Sequence, residues 1–234
     1  MGWAFFKGRG QLLVDLHMHT FLSDGELLPS ELVQRCIAAG YSAMALTDHA
    51  DSSNLEAVVL AACRVAQDFN LKSDSPICVV PGVELTHVIP SMIAELTEKA
   101  REVGARIVVV HGETISEPVP KGTNQAAIEA GVDVLAHPGL ITLEEVELAR
   151  NHGVALEITT RRAHGMTNGH VAQLACKAGA TMVLNTDTHS PYDIMSPALR
   201  ERTILGAGLE RSFLEKLADN SRQLVQKVMD KVIR

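Results

Sequence analysis

The chain has 234 residues, 46% of them hydrophobic, and a formal net charge of −7. That length and apolar content suit one barrel-sized α/β domain with a sizeable core and exclude a disordered chain. The acidic balance disfavours a broad nucleic-acid surface, and 3% aromatic residues leave few stacking platforms for single strands.

No stretch is apolar for long enough to span a bilayer, and the apolar run in residues 1–10 is too short for a signal peptide. Cys36, Cys63, Cys78 and Cys176 are isolated along the chain, without paired ligand spacing. They read as buried free thiols in a reducing cytoplasm.

In chain order, strand and helix patterns alternate throughout. Strands are expected near 12–16, 42–47, 76–83, 106–110, 132–136, 154–158 and 181–185, each a short apolar run. Helices fall between them: one opens near Pro29-Ser30 and stops at Gly40, and others cover about 54–69, 90–104, 121–130, 142–152 and 168–178. Helical segments fill the remainder, including 206–234. Seven βα units with continuous apolar strands predict a parallel sheet covered by helices. No linker or composition shift divides the chain, so residues 1–234 are read as one domain with an N-terminal extension over 1–10.

Acidic and imidazole side chains follow these strands: His17 and His19, Asp48 and His49, Glu84, His111, His137, then Asp187 and His189. The C-terminal end of a parallel strand faces the side on which barrel enzymes build their sites. Imidazole with carboxylate is what divalent transition metals bind. His17-X-His19 alternates along a strand end, so both rings can face one side. Asp24 lies just beyond, in a turn-forming stretch that can fold back over the site. Asp48 reads either as a ligand or as a carboxylate orienting one, and Glu84 can bridge two cations. Singly, each position is as often structural as functional. An open doubly wound sheet and a closed barrel both satisfy the strand pattern, but only a barrel brings all these ends to one centre.

The runs Asp-Leu-His-Met-His-Thr-Phe-Leu-Ser-Asp-Gly, Ala-Leu-Thr-Asp-His, Gly-Val-Glu, Val-Val-His-Gly, Ala-His-Pro-Gly and Asn-Thr-Asp-Thr-His occur in that order between about 12 and 190. Together they resemble the PHP (polymerase and histidinol phosphatase) superfamily. The resemblance implies a distorted, TIM-like (β/α)7 barrel with two or three divalent ions of Zn, Mn or Fe. It implies that His17, His19, Glu84 and Asp187 hold the first metal. Glu84 would bridge to a second, completed by His111 and His137. Asp24, His49 and His189 would hold the third, with Asp24 at a position that is His or Asp in the family.

The reaction implied is hydrolysis of a small phosphorylated metabolite, with histidinol phosphate as one candidate, and with Asp187, His189 and Glu84 closest to the chemistry. Arg161, Arg162 and His164 follow the sixth strand, and Lys121 opens a helix; these are the candidates for gripping phosphate. His87 lies a few residues past Glu84 and is a weaker candidate. The competing readings are a nucleotide or short-oligonucleotide phosphatase or nuclease, and a non-catalytic subunit that keeps metal for stability. No ligand position is lost, which weighs against the last. C–N hydrolysis by an amidohydrolase-like centre is disfavoured because no lysine ends a strand.

Overall fold

The computed structural model describes residues 13–71 and 75–230, so the N-terminal extension lies outside the described residues. Strands β1 (Leu13–Asp15), β2 (Tyr41–Leu46), β3 (His49–Ala50), β4 (Cys78–Leu85), β5 (Ile107–His111), β6 (Val134–Ala136), β7 (Ala155–Thr159) and β8 (Met182–Asn185) are all parallel. Their order is β1-β2-β4-β5-β6-β7-β8, with β3 beside β4. The short β3 was not expected from the sequence. The second strand is interrupted after Leu46 and resumes after a gap of two residues, where His49 pairs with Glu84. The strand expected over 76–83 runs on to Leu85, so Glu84 lies within it rather than after it.

The ring closes just beyond the ends of β1 and β8. Leu16 N donates to Asn185 Oδ1 at 2.9 Å, Thr186 Oγ1 to Asp15 Oδ2 at 2.6 Å, and His19 N to Thr188 O at 2.8 Å. The closed-barrel expectation therefore holds, and every strand end points to one mouth.

Helices α1 (Pro29–Ala38), α2 (Leu55–Asn70), α3 (Ile93–Val103), α4 (Thr123–Glu129), α5 (Leu143–His152) and α6 (Asn168–Ala178) follow their strands in turn. α7 (Pro197–Gly206) and α8 (Phe213–Asp230) complete the fold. Alternation along the strands divides the core in two. One side of β4, including Val79 and Val83, packs under the helices, while Cys78 and Val80 face the barrel axis. Leu224, Val225 and Val228 of α8 join that inner cluster and cap it. Cys36 and Cys78 are buried as expected, but Cys63 is half-buried and Cys176 is exposed on the outer face of α6. Among the described residues, no helix is long and apolar enough to cross a membrane.

The loop after β6 carries His137 and turns at Gly139, with φ +64°. A Cβ placed on Gly139 would stand 1.8 Å from Glu113 O, so contact and backbone conformation both demand glycine. Gly139→Ala is expected to cost about 3 kcal/mol, or about 6–12 °C in Tm. A thermal melt shifted by less than about 2 °C would show that the neighbouring loop yields freely.

Candidate metal centre

The strand ends place their polar side chains in one buried cluster. Glu84, fully buried, stands at its middle. Its Oε1 lies 3.2 Å from His17 Nε2, 3.5 Å from His111 Nδ1 and 3.9 Å from His137 Nε2. Its Oε2 lies 2.6 Å from His49 Nδ1 and 3.6 Å from His19 Nε2. Asp187 Oδ1 is 3.2 Å from His19 Nε2 and 3.8 Å from His17 Nε2. At the mouth, Asp24 Oδ1 lies 3.3 Å from His189 Nε2 and 3.4 Å from His49 Nε2.

All nine residues expected as ligands thus meet in one region. Within it, potential ligand atoms of His17, His19 and Asp187 lie within 4.8 Å of one another. The same holds for His17, Glu84 and His137, and for Asp24, His49, His189 and His19.

Many of these atoms face each other closely without forming hydrogen bonds. His17 Nε2, both nitrogens of His19, His111 and His137, Glu84 Oε1 and Asp187 Oδ1 are buried and without a hydrogen-bond partner. Buried polar atoms left unpaired are costly, and a native fold rarely collects so many. Side chains that converge on common points rather than pairing with each other form a donor set fitted to cations, and imidazole with carboxylate suits divalent metals.

Backbone strain marks the same place. His137, Asp187 and His87 have φ of +27°, +53° and +54°, and all three border the cluster. Non-glycine residues in that region cost energy and concentrate at functional sites.

Charge is shared unevenly across the cluster. Burial disfavours the charged form of His17, but the carboxylates of Glu157, Glu84 and Asp187 overcome it and hold its pKa well above the usual value. His49 likewise rises to about 10, against burial, through Glu84 and Asp24. Burial and the neighbouring His49 push His19 down to about 4. Glu84 and Asp187 are held well below the usual carboxylate range, because the facing histidines outweigh burial.

The cluster opens into a cavity of about 400 Å³ lined by Asp24, His49, His87, His111, Glu117, Arg161, His164, Asp187 and His189, among others. Arg161 enters from the loop after β7, with Nε 3.9 Å from Asp187 Oδ2 and Nη1 3.6 Å from Asp193 Oδ2. His164 is buried beside the cluster, stacks on His137 at 4.1 Å between ring centroids, and faces Glu117. Arg162 points elsewhere, into an adjoining groove of about 540 Å³ that shares Arg161 and includes the exposed Tyr192.

Lys121 is not in either cavity, and the start of α4 is already served by Glu113 Oε1, which accepts from Gly122 N and Asn124 N. Asp48 accepts from Thr20 N, Thr20 Oγ1 and Ser23 Oγ, so it shapes the first loop.

Three neighbours of the ligand candidates were not picked out from the sequence. Glu157, on β7, lies 2.8 Å from His17 Nδ1. Thr86 Oγ1 lies 2.7 Å from His49 Nδ1. Glu117 Oε2 lies 3.2 Å from both His87 Nε2 and His111 Nε2. Only the alternation of β7 hinted at any of them, by placing Glu157 on the same side as Ala155.

A closed parallel barrel with a histidine–carboxylate cluster at its strand ends is an arrangement suited to holding divalent metals. The chain belongs to the PHP family: the PHP domain model matches residues 15–178. It is accordingly an enzyme of the phosphoric-ester hydrolases. It is 43% identical over 216 residues to the uncharacterized protein MJ1295 of Methanocaldococcus jannaschii, covering 92% of this chain and 99% of that one. Over 109 residues it is 30% identical to the 3',5'-nucleoside bisphosphate phosphatase of Chromobacterium violaceum, covering 40% of this chain and 38% of that one.

The barrel is shared with a chain of an archaeal ribonuclease P bound to mature tRNA, at TM-score 0.67, 19% identity and coverage of 94% and 95%. It is shared also with the histidinol phosphate phosphatase of Lactococcus lactis solved with zinc, L-histidinol and phosphate, at TM-score 0.53, 17% identity and coverage of 92% and 93%.

Proposed function

We propose that the protein hydrolyses a phosphomonoester of a small metabolite, with two or three divalent cations at the cluster. The observation that carries this reading is the set of buried, unpaired ligand atoms opening into a cavity that also holds an arginine. His17, His19, Glu84 and Asp187 would hold one cation. Glu84, His111 and His137 would hold the next, and Asp24, His49 and His189 the third. Divalent cations held there lower the pKa of bound water and neutralise charge on phosphoryl oxygens.

The chain's own groups supply the rest. Arg161 reaches the cavity edge over Asp187 and is placed to grip a phosphoryl oxygen through its planar fork. Asp187 and His189 line the same wall, within reach of a proton moving to or from the reacting oxygens. His164 lines the cavity and stacks on His137.

A second reading is favoured by the groove beyond Arg161. Arg162 has no ionic or hydrogen-bond partner among the described residues, and Tyr192 is 93% exposed. An anion-seeking side chain beside an exposed ring would suit a leaving group with a second phosphate and a base, hence a nucleotide or short oligonucleotide. The phosphatase of nucleoside bisphosphates among the relatives supports it.

Phosphate release with Mn²⁺ or Zn²⁺, across histidinol phosphate, other phosphorylated metabolites, mononucleotides, bisphosphonucleosides and short oligonucleotides, decides between them. Turnover of one class, lost in Asp187→Ala, is the expected result. Silence across the panel with metal bound would overturn the phosphoesterase reading for these substrates. Arg161→Ala is expected to lower kcat/KM about ten-fold, near 1.4 kcal/mol. Unchanged kinetics would return Arg161 to a surface role.

A further inference from the structure

We propose that Glu157 is a positioning residue: its carboxylate holds the His17 ring with Nδ1 protonated, so that Nε2 is the atom offered to a divalent cation. The inference rests on the metal-centre reading above and adds a residue to it.

The argument starts from β7. Its residues alternate, with Leu156 and Ile158 under the helices and Ala155 facing the barrel axis. Glu157 therefore points inward, one layer below the mouth, and is fully buried. A buried carboxylate must find compensating donors, and its own strand is otherwise apolar up to Thr159. Glu157 Oε2 lies 2.8 Å from His17 Nδ1 and 2.9 Å from Asn185 Nδ2.

The direction of these bonds can be worked out. Leu16 N is a backbone donor and can only donate, so the Asn185 atom that it meets at 2.9 Å is the carbonyl oxygen. The Asn185 amide is thereby oriented with its NH₂ toward Glu157, which accepts. Glu157 Oε2 accepts from the Asn185 NH₂, and an acceptor oxygen facing His17 Nδ1 calls for a proton on that nitrogen. The chain of contacts runs from Leu16 N, just past β1, through Asn185 on β8 and Glu157 on β7 to His17 Nδ1, and holds the ring at that nitrogen.

The consequence appears at the other nitrogen. His17 Nε2 faces Glu84 Oε1 at 3.2 Å and Asp187 Oδ1 at 3.8 Å, yet makes no hydrogen bond. Once a cation replaces the proton that the metal-free ring carries at Nε2, a ring with Nδ1–H presents its lone pair there, directed at the point that both carboxylates share. The other tautomer would aim an N–H there and leave Glu157 facing a bare nitrogen. Carboxylates behind metal-binding histidines orient the ring and raise its basicity, and removing them costs about 10–100-fold in metal affinity.

The test uses the full chain, stripped by chelation and titrated with Zn²⁺ against a competing chelator. Glu157→Met, which removes charge and acceptor at similar volume, is expected to weaken the tightest site about 10–100-fold. Glu157→Gln, which keeps an acceptor oxygen, is expected to stay within about ten-fold of wild type. In ¹⁵N-labelled, Zn²⁺-loaded wild type, His17 is expected to show a protonated Nδ1 and a metal-bound Nε2.

Equal affinities in wild type and both variants, or ligation through Nδ1, would overturn the proposal. If Glu157→Met does not fold, the ¹⁵N assignment in wild type decides alone. Failure of wild type to bind Zn²⁺ at all would instead overturn the metal-centre reading itself.

Discussion

Glu84→Gln is expected to release two metal ions per chain and to lower turnover about 10³-fold, equivalent to about 4 kcal/mol. The size of the effect follows from where the side chain sits. Its two oxygens are within 4 Å of five histidines that belong to all three proposed ligand sets. A carboxylate can bridge two cations with both oxygens charged, whereas an amide offers one neutral oxygen and places two N–H donors where a lone pair is needed. Glutamine fills nearly the same volume, so the packing of β4 is preserved and the loss is electrostatic. Elemental analysis beside kinetics checks it. Loss of a single metal would show that Glu84 serves one ion and that the sharing is wrong, even if activity fell.

The same geometry explains which parts of the protein could be read before folding. The barrel and its mouth were legible because strands of a parallel sheet are buried on both faces and write themselves as unbroken apolar runs. Most ligand candidates were legible because they stand at the end of such a run, as His111 does after Ile107–Val110 and His137 after Val132–Ala136. Glu157 escaped because it stands inside Ala-Leu-Glu-Ile-Thr rather than after it. A lone acid in a strand normally faces water, and only the closed ring turns that side inward.

Glu117 escaped for another reason, although the His164 that it faces was among the phosphate-gripping candidates. Their meeting depends on how the loops after β5 and β7 lean together over the mouth, and no periodicity encodes it. Asp48 was read as a ligand or its support, whereas loop closure needed it more: three donors from Thr20 and Ser23 take up its oxygens and hold the turn that carries Asp24. The strand break at Thr47 was hidden because Thr47 bonds through its side chain to Met18, a contact across strands that local propensity cannot report.

Removing metal with a chelator is expected to lower Tm by about 10 °C, reversibly on adding Zn²⁺ or Mn²⁺, and by more as the pH rises. A cation present at about a thousand times its dissociation constant stabilises the fold by about 4 kcal/mol. For a domain of this size each kcal/mol moves Tm by about 2–4 °C.

The pH dependence comes from what replaces the cations. In the metal-free cluster, His17 and His49 face Glu84 and take up protons, and the pKa of His49 rises to about 10. A raised pKa in the folded state means stability that is fully present below the unfolded value, near 6.5, and is lost as pH climbs through the folded one. Metal-free protein should therefore be steadiest in mild acid and weaken between about pH 6.5 and 10, as the protons standing in for metal are given up. Bound cations compensate Glu84 and Asp187 without those protons, so the metal-loaded protein should weaken far less over the same window. The difference in Tm between the two forms should widen with pH. A difference that is constant, or that shrinks from pH 6.5 to 9 with metal content verified, would show that the carboxylates are balanced by something other than the facing imidazoles, and the charge assignment of the whole centre would have to be redrawn.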